Sequence, residues 1–158
     1  MKIHLVTVGR TDKIWLNTGI DDYLTRIRKY ISFEIILINN IKNRAKMSEQ
    51  VIKNLEGEQI LKKIAQNDVV ILLDEKGKSF TSKEFAVYFQ KQINSGAKNI
   101  FFITGGAYGF SKAVYDRSNF IVSLSEMTFS HQMVRLIFAE QLYRALSIIN
   151  NEPYHHGD

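Results

Sequence analysis

The stretch NIFFITGGAYG, residues 99–109, carries the pattern that decides the fold. Its first half, Asn99–Thr104, is a short apolar run with the length and composition of a strand that is buried on both faces. Glycines follow directly, where a backbone without Cβ atoms can approach a ligand closely. A buried strand that ends in a glycine-rich loop is typical of α/β proteins, whose parallel sheets bind ligands beyond the carboxyl ends of their strands.

Four more segments share this apolar character, and segments with helical spacing separate them. The further predicted strands are Ile3–Val8, Phe33–Ile38, Val69–Leu73 and Phe120–Leu124. The predicted helices are Lys13–Arg28, Ser48–Gln66, Ser82–Ser95, a short helix from Ser111, and His131–Asn150. Ser48 is a predicted N-cap, and Ser82 provides half a capping box. The alternation predicts an α/β domain with a mostly parallel sheet of five to six strands, flanked by helices.

Composition limits the class of protein. The 158 residues fit one domain, 1–158, and the formal net charge of +5 is moderately basic. With 45% hydrophobic residues the chain is not a disordered basic tail. The absence of cysteine excludes disulfides and thiolate metal sites, and no run approaches the roughly 20 apolar residues of a membrane-spanning helix. We therefore expect a cytoplasmic protein.

The predicted helix His131–Asn150 is apolar in nearly every direction around its axis. A surface helix keeps one polar face, so the far side of this helix needs a cover as well. The same helix of a second copy is the simplest cover, and we expect a homodimer. A central core helix within one chain is the alternative.

Three segments follow predicted strands and are expected to meet at one edge of the sheet. They are Asp74–Gly77, Thr104–Gly109 and Ser123–Phe129. The glycine loop lacks the G-x-G-x-x-G and G-K-[ST] patterns, which disfavours dinucleotide and P-loop nucleotide binding. A tight turn without a ligand is the alternative for this loop. The basic segment 41–47 is predicted to be a surface loop, with a phosphate contact as the alternative.

The four histidines lack the spacing of a metal site, so no metal is expected. The end of the chain is more informative, because Pro153 is expected to end the long helix and Tyr154 and His155 follow it. These two side chains could fold back over a site as an acid–base group and a stacking surface. A frayed tail is the alternative, above all for Gly157 and Asp158.

Five motifs in this order resemble one known family. They are LDEKG at 73–77, GGAYG at 105–109, SLSEMTFSHQMVR at 123–135, AEQLYRA at 139–145 and PYH at 153–155. Together they are similar to the family of large-subunit (23S-type) ribosomal RNA pseudouridine N3-methyltransferases, which belongs to the SPOUT class. The resemblance covers essentially the whole chain.

The resemblance implies a homodimer whose C-terminal segment forms a trefoil knot, and S-adenosyl-L-methionine as the methyl donor, without a metal. General topology rules argue against a knot, so this feature rests on the resemblance alone. Carried over by position, the implied cofactor contacts are Leu73, Gly105, Leu124, Ser125, Glu126, Met127, Thr128 and Phe129. All eight lie in or next to the three segments expected at one sheet edge.

The implied reaction is methylation of N3 of a pseudouridine in large-subunit ribosomal RNA. Tyr154 or His155 would act on the target base, and Arg135 and His156 are candidate RNA contacts. Arg144 is expected to pair with Glu140 on the same helix. A charge of +5 is modest for binding RNA through its backbone alone, which favours an assembled ribosomal surface as substrate.

The tail departs from the family pattern in one respect. His156 stands where relatives commonly carry Arg or Lys, and Gly157 and Asp158 follow it. A phosphate contact at this position would therefore depend on pH or be lost. Two alternative functions stay open at this point, namely a flavodoxin-like binding module without catalysis and a structural dimer associated with the ribosome.

Overall fold

The five predicted strands form one parallel sheet in the computed structural model, which describes residues 1–156. They are β1 (Lys2–Val8), β2 (Ser32–Ile38), β3 (Val69–Ser79), β4 (Asn99–Thr104) and β5 (Phe120–Ser123). Their order across the sheet is β2-β1-β4-β3-β5, and each neighbouring pair is parallel. The predicted α/β class is confirmed, with five strands. The knot stays a prediction from the resemblance.

Helices cover both faces of this sheet and create two apolar cores. The helices are α1 (Ile14–Ile27), α2 (Glu49–Leu61), α3 (Ser82–Asn94), α4 (Lys112–Arg117) and α5 (Met133–Ile149). Helices α1, α3 and α5 pack on one face, and α2 and α4 pack on the other. No helix among residues 1–156 has the length and hydropathy required to cross a membrane.

The helix starts follow capping chemistry. The Ser48 side chain accepts a hydrogen bond from the Val51 N–H at 3.3 Å, which confirms Ser48 as an N-cap. The cap of α3 is Thr81, so the prediction for Ser82 is wrong by one residue. Thr81 and Glu84 form a complete capping box, in which each side chain accepts the backbone N–H of the other residue.

The end of α2 is also earlier than predicted. The helix stops at Leu61, five residues before Gln66. The Asp68 carboxylate accepts the Ala65 N–H at 2.8 Å, and the Arg117 guanidinium donates to the carbonyl of Ala65 at 2.7 Å. This polar turn uses backbone groups that a longer helix would need.

Strand β3 continues beyond its predicted end at Leu73. Leu73 and Lys78 both lie opposite Val122 of β5, so the intervening residues Asp74–Gly77 bulge out of the ladder. Gly77 permits this bulge, because a Cβ atom there would lie 2.6 Å from the backbone carbon of Ile121. The bulge leaves Asp74–Gly77 at the sheet edge where the sequence predicts a ligand site.

Helix α5 has two different faces. Phe138 and Leu142 are completely buried against the sheet, and the Phe138 ring lies 4.6 Å from the Phe102 ring of β4. Every residue from 131 through 149 is at least partly buried. On a helical wheel Met133 and Ile137 fall on the side opposite the buried positions, and each is half-buried. Glu140 and Arg144 follow them on the same side, whereas Ile148 packs against the core. The inner face therefore builds the core, and a short apolar stripe, Met133 and Ile137, is left on the outer face.

Candidate active site

A cavity of about 680 Å³ lies at the carboxyl ends of β3, β4 and β5, within the size range of ligand sites. The three predicted segments meet there. Its walls include Leu73–Lys76, Gly105–Phe110, Leu124, Ser125, Met127–His131 and Val134, with Tyr115, Glu49 and Lys53 from neighbouring helices. Seven of the eight residues implied as cofactor contacts line this cavity. Glu126 does not line it and is exposed.

The glycine loop that follows β4 is a closed turn and also a wall of the cavity. The Gly109 N–H donates to the Gly106 carbonyl at 3.1 Å, and Gly109 has a φ of +80°. A Cβ atom on Gly105 would lie 3.1 Å from the Gly109 Cα. Gly105 is therefore required by the close approach of two backbone segments, and the loop is a tight turn that also lines the cavity.

The β3 bulge is fixed by its own carboxylates. Asp74 accepts the Lys76 N–H at 2.8 Å and also the hydroxyl of Tyr115. Burial, together with this hydrogen bond, raises the pKa of Tyr115, which stays a neutral donor. Glu75 accepts a hydrogen bond from Thr128 at 2.6 Å, so the bulge is tied to the loop after β5. The result is a cavity wall with two carboxylates.

The loop after β5 has an ordered backbone of its own. The Ser123 hydroxyl donates to the Ser125 carbonyl at 2.8 Å, and the Ser125 hydroxyl accepts the Met127 N–H at 2.9 Å. Met127 nevertheless remains 78% exposed. The loop therefore presents backbone groups and an apolar side chain to whatever occupies the cavity.

His131 lines the cavity but is not among the residues predicted from sequence, because its position was considered only for a metal site. It stands just before α5, where Gln132 and Asp12 exchange two hydrogen bonds of 2.9 and 2.7 Å. Burial lowers the pKa of His131, and the nearby charges of Arg135 and Arg44 lower it further. The structure therefore places a neutral imidazole on the cavity wall.

Arg44 lies beside the same cavity, although the segment 41–47 is predicted to be a surface loop. A short 3₁₀ turn, Arg44–Lys46, follows Asn43, whose φ of 56° is left-handed. The turn places the Arg44 guanidinium 5.6 Å from the ring centroid of Tyr108, a cavity residue. Arg44 thus adds a positive charge beside the cavity, and a phosphate contact by Arg44 stays a prediction.

Glu56 of α2 supports the glycine loop from behind. It is only 2% exposed, and its Oε2 atom has no hydrogen-bond partner among residues 1–156. A Cβ atom on Gly106 would lie 2.4 Å from this oxygen. Burial raises the pKa of Glu56, while the charge of Arg44 acts in the opposite direction. A buried carboxyl without a partner is costly when ionised, so the neutral form is favoured.

The predicted catalytic residues Tyr154 and His155 are not in this cavity. The Tyr154 hydroxyl lies 3.3 Å from both the Tyr23 hydroxyl and the Glu140 carboxylate, and burial raises its pKa. The His155 imidazole lies 3.2 Å from the Arg144 guanidinium. The tail thus packs against the second half of α5, whereas the cavity contacts only the first turn of that helix.

The long helix ends one residue before its predicted end at Asn150, and Pro153 follows shortly after it. The last helical residue is Ile149, and Asn151 has a left-handed φ of 57°. The Glu152 N–H then donates to the Ser147 carbonyl at 2.9 Å, which turns the chain back. The Tyr30 hydroxyl donates to the Glu152 carboxylate, and this bond raises the pKa of Tyr30 to about 12.

The two candidate RNA contacts have different environments. Arg135 is 2% exposed and donates to the Val8 carbonyl at 2.6 Å, the Thr11 hydroxyl at 2.8 Å and the His131 carbonyl at 3.1 Å. Because these bonds hold its guanidinium inside the protein, the prediction that Arg135 contacts RNA is wrong. His156 is exposed.

The prediction for Arg144 is confirmed. Its guanidinium forms an ion pair with Glu140 at 2.5 Å, one helical turn away. Among residues 1–156 no cluster of three potential metal-ligating side chains occurs.

The fold and the cavity at three adjacent strand ends define a known class. A sequence model of the family described as "Predicted SPOUT methyltransferase" matches residues 1–155. The chain therefore belongs to the SPOUT methyltransferase family, as the motifs indicate.

Similar proteins narrow the class. The chain is 51% identical over 156 residues to ribosomal RNA large subunit methyltransferase H of Parabacteroides distasonis, with 99% of each chain covered. Its fold is similar to that of a probable methyltransferase from Bordetella pertussis, with a TM-score of 0.54, 13% identity, and 92% and 96% of the chains covered. A Legionella pneumophila structure that contains bound S-adenosylmethionine has a TM-score of 0.50 at 12% identity, with 92% of this chain and 66% of that chain covered.

We expect Gly105→Val to abolish S-adenosylmethionine binding while the fold persists. The valine would collide with the Gly109 backbone and push the glycine loop into the cavity. Equilibrium dialysis with labelled cofactor measures the affinity, and circular dichroism checks the fold. Unchanged affinity in a folded variant would show that the loop is only a turn.

We expect Glu56→Gln to raise the unfolding temperature at pH 8 but not at pH 4.5. The pKa of Glu56 is raised in the folded chain, whereas in the unfolded chain it has the ordinary glutamate value of 4.5. Protonated Glu56 therefore makes its full contribution to the free energy of unfolding below pH 4.5. This contribution decreases as the pH rises through the raised pKa of the folded chain. A neutral amide does not lose a proton and avoids this decrease.

Thermal unfolding at the two pH values measures the effect, and Glu58→Gln on the exposed side of the same helix is the matched control. Lower stability of Glu56→Gln at pH 8, with a smaller deficit at pH 4.5, would contradict a neutral carboxyl. It would show instead that Glu56 is ionised and bound through its charge.

Proposed function

We propose that this protein transfers a methyl group from S-adenosylmethionine to N3 of a pseudouridine in large-subunit ribosomal RNA, in the cytoplasm. The observation that carries the proposal is the cavity built from three strand ends in a SPOUT methyltransferase chain. The particular substrate is supported by full-length relatives named ribosomal RNA large subunit methyltransferase H. Membership of this family disfavours the flavodoxin-like binding module.

The residues of the cavity fit the proposed cofactor. The glycine loop borders the cavity, and the backbone of Leu124–Phe129 offers polar groups for adenosine and methionine. The wall carries charges of both signs, since Lys53 and Lys76 line it together with Asp74 and Glu75. This suits S-adenosylmethionine, which carries a sulfonium, an ammonium and a carboxylate. When bound, S-adenosylmethionine supplies a methyl group activated by its positively charged sulfur.

Methylation of N3 requires removal of the N3 proton, and two groups of residues are candidates. His131 lines the cavity of its own chain, and its lowered pKa keeps the imidazole ready to accept a proton. Tyr154 and His155 pack beside Glu140 and Arg144. Because that position is outside the cavity, we assign the tail to the RNA side of the site, where it positions the target nucleotide.

The tail of one chain can reach the cavity of a second chain without a large movement if the two chains associate through α5. The outer stripe of Met133 and Ile137 is apolar and begins beside the cavity residue Val134, and the ion-paired Glu140 and Arg144 follow it on the same face. An antiparallel pairing of two such helices would bring the tail of one chain towards the cavity of its partner. The homodimer is thus part of the proposal, as is rRNA presented on a ribosomal surface.

Mass spectrometry of ribosomal RNA tests the reaction itself. Cells that lack the protein should contain an unmethylated pseudouridine that purified protein and S-adenosylmethionine convert to the N3-methylated form on large ribosomal subunits. Purified 23S-type RNA without ribosomal proteins should be a poorer substrate. If ribosomal RNA from cells with and without the protein contained the same amount of N3-methylated pseudouridine, the proposed function would be contradicted.

We expect His131→Ala to lower the methyl-transfer rate by about 10²–10⁴, with cofactor affinity within a few-fold of the original. Deletion of residues 154–158 should instead raise the KM for ribosomal subunits, and Tyr154→Phe should have a smaller effect of the same kind. Steady-state kinetics with labelled cofactor separates the two effects. If the deletion lowers kcat and His131→Ala does not, the tail carries the base.

We expect Ile137→Glu to yield a folded monomer, whereas Phe138→Glu should not fold. The two positions are adjacent, but Ile137 is on the outer stripe and Phe138 is completely buried. Sedimentation velocity measures the oligomeric state, and circular dichroism measures the fold. A monomeric wild-type chain at micromolar concentration would remove the dimer from the proposal.

A further inference from the structure

A second cavity lies at the free edge of the sheet, where β5 has no further strand beside it. It has a volume of about 300 Å³, and its walls are Lys78, Phe80, Tyr88, Lys91 and residues 120–122. None of these residues lines the first cavity. The function proposed above makes no use of this second cavity, which we call the edge cavity.

The edge cavity combines aromatic rings with positive charge. Phe120 is 42% exposed and stands edge-on to Tyr88 with 5.6 Å between ring centroids. Tyr88 in turn stacks on Phe80 at 5.2 Å. The Lys78 ammonium lies 5.0 Å from the Phe80 ring, and Lys91 is on the same rim. Exposed rings with flanking ammonium groups are the combination that binds unpaired nucleotides, by stacking and phosphate contacts.

The two lysines are free to contact an anion. Among residues 1–156 neither ammonium has a carboxylate within 4.0 Å, and both side chains are exposed. Glu84 attracts Lys78 only at longer range, and its carboxylate already accepts the Thr81 N–H. The rim therefore presents two positive charges that the fold itself does not neutralise.

The position of the edge cavity relates it to the proposed active site. Both cavities are built on the β3–β5 pair, because the bulge Asp74–Gly77 lines the first cavity and Lys78 follows it directly. Phe120 of the edge cavity is four residues before Leu124 of the first. Four residues of strand span about 13 Å, which corresponds to about four stacked bases.

We propose that the edge cavity binds an unpaired nucleotide of the ribosomal RNA substrate, up to about four positions from the target base. This inference rests on the proposed function. Phe120 provides the face on which the base stacks, and Lys78 and Lys91 contact the adjoining phosphates. A second copy of this chain is a poorer occupant, since twofold pairing through the cavity would bring the lysines of both copies together.

The test measures binding to purified large ribosomal subunits by sedimentation at several salt concentrations, without relying on catalysis. Phe120→Leu keeps apolar volume but removes the ring, and should bind about 5- to 150-fold more weakly. Phe120→Ala should show the same loss or a larger one. Lys78→Ala with Lys91→Ala should reduce the salt dependence by about 1.4 to 1.8 in log–log slope. Lys83→Ala, exposed on α3 outside the cavity, is the matched control and should change neither quantity.

Two further readouts locate the effect. Cofactor affinity and kcat at saturating subunits should stay within a few-fold in every variant, since the first cavity is intact. Ultraviolet cross-linking of the wild-type complex should attach ribosomal RNA to the peptide that contains Phe120.

The inference would be overturned if Phe120→Leu and the double lysine variant bound subunits as tightly as the wild type does. It would also be overturned if the peptide that contains Phe120 cross-linked to a ribosomal protein. Failure of the proposed function has a different signature. The wild-type chain would then bind subunits through the edge cavity but would transfer no methyl group to their RNA.

Discussion

The position of β3 between β4 and β5 is the constraint on which the site depends. Parallel pairing of β3 with both neighbours aligns three carboxyl ends at one edge of the sheet. Segments that are about 20 to 50 residues apart in the chain thereby become the walls of one cavity. The buried apolar residues of these strands, on which helices pack from both sides, hold that alignment in place.

Local features refine the cavity once the strands are aligned. The close approach of Gly105 to Gly109 shapes one wall, and the carboxylates of Asp74 and Glu75 fix the bulge that forms another. Glu56 is buried behind the glycine loop, and His131 is kept neutral by burial and by nearby positive charge. The electrostatic character of the site thus arises from residues on four separate elements.

The sequence predicts the strands well because a buried strand is a local signal. Segments such as Asn99–Thr104 are apolar throughout, and their length alone separates them from helices. The β3 bulge could not be predicted, since it depends on pairing with Val122 nearly fifty residues later. Arg135 was misjudged for a similar reason, because its buried acceptors, such as the Val8 carbonyl, are distant in the chain.

The functional residues also divide into those that local patterns predict and those that depend on contacts between distant parts of the chain. The predicted strand ends and the resemblance of motifs both indicate the segments of the cavity, while the roles of Glu56 and His131 emerge only from the folded arrangement. No local pattern marks a glutamate that will be buried behind a glycine loop. The fold-back of Tyr154 onto Tyr23 and Glu140 likewise depends on contacts across more than a hundred residues and across a helix.

Hydrogen exchange with and without S-adenosylmethionine tests the central claim most directly, because it locates the bound cofactor along the whole chain in one measurement. If the three strand ends form one cofactor site, added cofactor should slow amide exchange in residues 74–77, 105–110 and 124–131 together. The edge cavity around Phe120 should not change. Protection confined to one of the three segments, or located elsewhere in the sheet, would contradict the account.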